Sequence, residues 1–199
     1  MHKIFLGLLI VAVLVTSAMA AEAKMLVAVF SRADENYSVG NITTGNTMVL
    51  AQMISEKTGA ELFEVAPAKK YPANYDECTD IAKREQNQKA RPAILEDKDI
   101  SDYNIIFLGY PIWWGDIPMC MYTFIEAHDW NGKTVIPFCT HEGSGAGRTA
   151  STLRNNLKGA EIRNVMAMRG ATAQNRRDEA SSTIDNWLKS LGFGIWELH

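Results

Sequence analysis

From Tyr103 to Pro118 the chain reads Tyr-Asn-Ile-Ile-Phe-Leu-Gly-Tyr-Pro-Ile-Trp-Trp-Gly-Asp-Ile-Pro, and no other stretch constrains the fold as tightly. Its first half is a short, nearly uninterrupted apolar run rich in Ile and Phe. Such a run suits a parallel strand buried on both faces better than an amphipathic helix. A glycine, a proline, two tryptophans and a second glycine follow at once. Asp116 and Pro118 then read as the N-cap and first-turn residues of the next helix. Pro111, Ile112, Trp113, Trp114 and Gly115 therefore occupy a strand-to-helix loop. In an open α/β sheet that loop lies at the carboxyl edge, where ligands bind. Burial in a core is the commoner use of tryptophan, but the loop position favours a ligand contact.

The rest of the chain repeats the alternation. Met25 to Phe30 is a continuous apolar segment and predicts the first buried strand. A helix is expected from Gly45-Asn46-Thr47, with Val49, Leu50, Met53 and Ile54 on one face and a stop at Thr58-Gly59. Between strand and helix, Ser31 to Thr44 forms a polar loop too long for a plain connector. Its hydroxyls and amides lie at a helix amino terminus, where free N–H groups and the positive dipole end favour a phosphate. Ordinary capping by Thr43 or Thr44 is the alternative use of the same residues.

Glu61 to Val65 reads as a second strand and Tyr75 to Gln88 as a charged surface helix, both as scaffold. Met121, Phe124 and Ile125 give the helix after the central strand its apolar stripe. Lys133 to Cys139 predicts a fourth strand. It runs into Thr140-His141-Glu142-Gly143-Ser144-Gly145-Ala146-Gly147, a glycine-rich loop that lets backbone approach a ligand. Ile162 to Met168 predicts a fifth strand, and Ile184, Trp187, Leu188 and Leu191 a closing amphipathic helix. Strands alternating with helices imply a three-layer α/β sandwich around a parallel sheet.

Composition narrows the function. At 199 residues, 47% hydrophobic and 22% charged, the chain makes one ordinary globular domain. A net charge of −3 offers no broad basic footprint for nucleic acid. Cys78, Cys120 and Cys139 form no Cys-x-x-Cys pair and lie near no spaced histidine cluster, so metal and dithiol chemistry are disfavoured. Residues 1–20 read as a secretory signal peptide: a basic start, an apolar run from Ile4 to Val15, and Ala18-Met19-Ala20 before Ala21. The apolar core is shorter than the ~20 residues that span a bilayer. The expected arrangement is a leader over 1–20, a single domain over 21–199, and export to a compartment such as the bacterial periplasm, with no membrane span left after cleavage.

The motifs together resemble the flavodoxin family, specifically a branch with Gly-Tyr-Pro-Ile-Trp-Trp-Gly after the third strand and Thr-His-x-Gly-Ser-Gly after the fourth. The resemblance covers nearly all of the mature chain and implies a five-stranded parallel sheet of order 2-1-3-4-5 that binds FMN. It implies that Ser31, Arg32, Asn46 and Thr47 hold the phosphate, with Asn36 and Tyr37 sharing contacts because the first loop is longer than in short flavodoxins. Pro111, Ile112, Trp113, Trp114 and Gly115 would flank the isoalloxazine on one side. Thr140, His141, Gly143, Ser144 and Gly147 would flank it on the other. Trp113 is the expected stacking residue, and Gly115 the expected source of a carbonyl for the flavin N5. The implied partners are a redox protein or a small-molecule acceptor. Because Asp116 and Glu142 are offset by Arg32, Arg148 and His141, the site is not strongly acidic and two-electron chemistry is the expectation.

Two other classes draw on the same residues. A non-redox, phosphate-ligand binding module fits the first loop, since fold alone does not fix function. A phosphoacceptor receiver would need an aspartate where the third strand ends in Gly109-Tyr110-Pro111. Ser144 lies between glycines near His141, but Gly-Ser-Gly is not the Gly-x-Ser-x-Gly elbow of a serine hydrolase.

Overall fold

The computed structural model describes residues 23–193. The expected leader, and the ends of the expected domain, lie outside the described residues. Within them the elements run β1 (Met25–Val29), β2 (Asp34–Asn36), β3 (Gly40–Ile42), α1 (Asn46–Thr58), β4 (Glu61–Glu64), α2 (Tyr75–Gln88) and β5 (Ile105–Pro111). They continue with α3 (Met119–Glu126), β6 (Thr134–His141), α4 (Thr149–Asn156), β7 (Glu161–Ile162), β8 (Met166–Arg169), α5 (Gly170–Asn175) and α6 (Arg177–Ser190). No helix among the described residues is long and apolar enough to cross a membrane.

The main sheet is parallel, in the order β4-β1-β5-β6, with β7 and β8 both pairing β6 on the far side. Read as five strands this is the expected 2-1-3-4-5. β1 and β5 carry almost nothing but buried apolar side chains, because helices cover both faces. One apolar layer packs Leu26, Ile106 and Leu108 against Cys120, Phe124 and Leu153 of α3 and α4. The other packs Val27, Val29 and Phe107 against Val49, Leu50 and Ile54 of α1 and Ile184 and Leu188 of α6. Trp187, expected in the core, sits half-buried at the margin of this second layer with its ring edge on Phe107.

Three expectations need correction. The fifth strand is not continuous: it is broken at 163–165. Val135 accepts from the Arg163 amide at 2.9 Å, which fixes the odd-numbered residues of β6 as those bonding the fifth strand. Pro137 is the next of them, and it has no N–H to donate. The stretch from Ser31 to Thr44, read as a polar loop, carries an antiparallel hairpin of β2 and β3. Asp116 does not cap α3. Pro118 is the N-cap, with no side-chain cap bond, and Asp116 is spent elsewhere.

Candidate functional site

The carboxyl ends of β1, β5 and β6 open into one cleft of about 310 Å³. Arg32 enters it from the exit of β1. Pro111, Ile112, Trp113 and Trp114 enter from the exit of β5, and Thr140, His141, Glu142 and Ser144 from the exit of β6. Asn36 and Tyr37 come from the hairpin and Asn46 from the first turn of α1. The remaining wall is one face of α2, presenting Tyr75, Cys78, Thr79 and Ala82. The charged pattern of Tyr75 to Gln88 alone reads as scaffold, and the structure corrects this. The i, i+3, i+4, i+7 spacing of these four residues is the signal that could have found the wall.

Ser31, Thr47, Gly115, Gly143 and Gly147 do not line the cleft; each has a definite other place. Ser31 Oγ accepts the Met48 amide at 3.0 Å and so caps α1 from outside the helix, since Gly45 has no side chain to do it. Thr47 is buried, its hydroxyl 2.7 Å from that of Thr140, which joins α1 to the end of β6. The backbone N–H groups of Asn46 and Thr47 find no acceptor among the described residues, as expected of a first helical turn.

Arg32, expected as a phosphate ligand, spends its terminal nitrogens on backbone. They donate to the carbonyls of Glu35, of Pro72 at 2.6 Å and of Ala73 at 2.7 Å. Its Nε is buried without a partner, and so is Asn46 Oδ1. Arg32 and Asn46 both line the cleft, and orphaned polar atoms of this kind are what a bound polar ligand would satisfy.

The β5 exit closes on itself. The Trp113 amide donates to Asp116 O at 2.9 Å and the Asp116 amide to Trp113 O at 3.1 Å. The two residues between, Trp114 and Gly115, have φ of 50° and 77°, the positive-φ pair of a type I′ turn. For Trp114 that conformation costs about 1–2 kcal/mol. Contacts with α2 offset it: the indole N–H donates to Thr79 O at 2.9 Å, and Lys83 Nζ lies 4.8 Å from the ring centroid. Trp114 stays 49% exposed. Trp113 turns the other way, its ring edge-on to Phe30 and Tyr71 with centroids 5.2 and 4.9 Å apart.

The Gly115 carbonyl points to the β6 exit, where it accepts the Arg148 amide at 2.9 Å. A Cβ on Gly147 would stand 2.4 Å from that same oxygen, so only glycine fits where the two loops touch. Asp116 fastens the junction from below. Its buried carboxylate accepts from Ile117 N, Thr152 Oγ1 and Tyr122 Oη at 2.9, 2.8 and 3.2 Å, and from Arg148 Nε at 2.7 Å.

His141 Nδ1 faces the Gly143 amide at 2.9 Å and so acts as acceptor, which leaves the imidazole proton on Nε2. Burial, then the Arg169 guanidinium, holds its pKa below the ordinary histidine value, and Glu142 opposes this only weakly. The ring is neutral at pH 7 and can donate from Nε2. All three cysteines are buried and unpaired, and burial pushes the Cys78 thiol at the cleft wall up. It is no nucleophile at neutral pH.

A family model described as Flavodoxin matches residues 24–189. The chain belongs to the flavodoxin family. Among solved structures, this chain is similar to a candidate flavoprotein from Bacteroides eggerthii at 30% identity and a TM-score of 0.69, over 87% of this chain and 100% of that one. A second from Bacteroides uniformis matches at 30% and 0.66, over 82% and 98%. A Lactobacillus acidophilus flavoprotein in complex with FMN matches at 22% and 0.61, over 83% and 99%, a likeness of fold. No curated protein matches.

Proposed function

We propose that this member of the flavodoxin family is an exported, FMN-dependent redox protein that passes electrons to a partner protein or reduces a small acceptor. The observation that carries the FMN assignment is the junction of two features in one cleft. A helix amino terminus, with Asn46 on the cleft wall and the uncommitted Asn46 and Thr47 amides in its first turn, meets an aromatic-walled slot at the carboxyl edge of the sheet. The first suits a phosphate, and the second a flat ring system with polar edges. The Asn46 and Thr47 amides and Arg32 Nε would hold the phosphate, Asn46 Oδ1 would accept a ribityl hydroxyl, and Trp113, Trp114 and the Thr140–Ser144 backbone would hold the ring. FMN, when bound, supplies reversible electron and hydride chemistry. It is also the ligand in the L. acidophilus relative.

An absorption spectrum of the purified protein with added FMN tests the assignment. Bound-flavin bands in the visible are expected; their absence would leave the phosphate-ligand module. The discriminating variant is Gly45→Ala. Its Cβ would stand 2.3 Å from Ser31 Oγ and 2.5 Å from Arg32 O, forcing the first turn of α1 out of place. FMN should bind roughly tenfold more weakly while riboflavin, which lacks the phosphate, changes little. Equal losses for both would move the phosphate elsewhere. Thr47, whose hydroxyl is committed to Thr140, would not discriminate.

Export rests on the leader pattern of residues 1–20. Intact-mass analysis of secreted material should give a chain beginning at or near Ala21. Material that keeps residues 1–20 in the cytoplasm would end the proposal of export.

A further inference from the structure

Helix α2 also walls a second cavity, of about 560 Å³, a size typical of small-molecule sites. It shares no lining residue with the first cleft. Two of its walls are the extended segments 68–72 and 90–93, and Ile81 and Glu85, one turn apart on α2, make the third. The two segments start as an antiparallel pair. Leu95 N donates to Ala66 O and Ala68 N to Ala93 O, each at 2.8 Å. The return bond from Ala93 N to Ala68 O, which such a pair would make next, does not form, and both groups lack a partner among the described residues. Separate anchors hold the segments apart. Arg91 grips the Glu126 carboxylate with two nitrogens at 2.7 and 2.6 Å and Pro92 O accepts the Thr123 hydroxyl at 2.8 Å, which ties 90–93 to α3. Arg32 holds Pro72 O and Lys70 pairs with Asp34 at 3.1 Å, which ties 68–72 to the hairpin.

Glu85 is the one carboxylate in these walls. Tyr71 Oη donates to its Oε2 at 2.7 Å. Its Oε1 takes no hydrogen bond, and no cation pairs with it among the described residues. Burial raises its pKa, with the Tyr71 bond and Arg84 opposing, as befits a half-buried acid without a counter-ion. Lys70 and Arg91 are committed elsewhere. Lys69, exposed at the rim, has no carboxylate partner among the described residues.

We propose that this cavity binds a short apolar peptide with free termini, its ammonium on Glu85 Oε1, its carboxylate toward Lys69, and its peptide groups on Ala93 N and Ala68 O. Ala68, Pro72, Ile81 and Pro92 give small apolar side chains a dry wall. The opened ladder offers a donor and an acceptor to a peptide backbone, as a sheet edge does in strand addition. One inward carboxylate and one rim ammonium match the two ends of a zwitterion. A simple cation would meet Lys69, and a simple anion would meet Glu85. The site needs no flavin.

Calorimetric titration of the protein with trialanine tests this, beside N-acetyl-trialanine and trialanine amide. Trialanine should bind at one site. Acetylation, which removes the ammonium, should weaken it roughly tenfold, and amidation, which acts at an exposed lysine, about twofold. Glu85→Gln keeps an acceptor for Tyr71 and should lower trialanine affinity roughly tenfold while leaving the acetylated peptide unchanged. Ala93→Trp, at an exposed position, should fill the cavity and abolish binding of all three peptides with the urea midpoint unchanged. No binding at millimolar trialanine overturns the proposal, and so do equal affinities for the free and acetylated peptides. Undiminished binding to a folded Ala93→Trp variant would put the peptide elsewhere and overturn it as well.

Discussion

Asp116→Ala should destabilise the fold by about 2–4 kcal/mol, the largest expected loss for any one polar side chain at the site. The carboxylate is 4% exposed and takes four hydrogen bonds. Truncation strands the Ile117 amide and the Thr152 hydroxyl in surroundings that exclude water, at about 1–3 kcal/mol for each unmet donor. The Arg148 side chain is more than half exposed and can turn to solvent, so its share is small. Because Asp116 joins the turn at Trp114-Gly115 to the loop ending at Arg148, FMN affinity should fall together with the midpoint of urea unfolding. Asp116→Asn keeps the shape but sets an amide N–H against a donor, and should fall between the two. An alanine variant of wild-type stability would show that the four bonds matter little.

Trp113→Ala and Trp114→Ala should separate stability from binding. Trp113 packs edge-on to Phe30 and Tyr71, so its removal opens a hole beside the main core. A loss of about 2–4 kcal/mol follows for a half-buried indole, with FMN affinity weakened in addition by about 1–3 kcal/mol. Trp114 is half exposed and pays for an unfavourable backbone conformation. Its removal should change stability by less than about 1 kcal/mol while still weakening FMN. Denaturation curves with and without FMN give both quantities. If Trp114→Ala leaves FMN affinity untouched, the exposed ring is no part of the flavin wall.

These pairs also show what the sequence could disclose. Helix α2 begins where the pattern placed it because Asn74 accepts the Glu77 amide at 3.0 Å, a local interaction that local residues announce. β1, β5 and β6 were equally legible, since strands buried on both faces must be apolar throughout. The hairpin was not. Its strands are three residues each and polar, and what holds them is Arg32 reaching some forty residues along the chain to Pro72 and Ala73. Thr47 and Asp116 illustrate the same limit. Both lie in stretches that flank the cleft, but their partners Thr140, Arg148 and Thr152 come from other elements. The side chains are therefore placed differently from expectation, although the expected loops do meet at one cleft.

The break at Pro137 bears on how the molecule coexists with copies of itself. An open sheet has two rims, and a long flat rim strand invites another chain to add to it. On one rim here the ladder is cut into pieces of two and four residues, too short to template a stranger. The opposite rim, β4, is only Glu61-Leu62-Phe63-Glu64, and a newcomer in register would bring its own glutamates against these, like charge on like. The proline that costs the sheet a hydrogen bond thus helps keep a concentrated solution of this protein from zipping edge to edge.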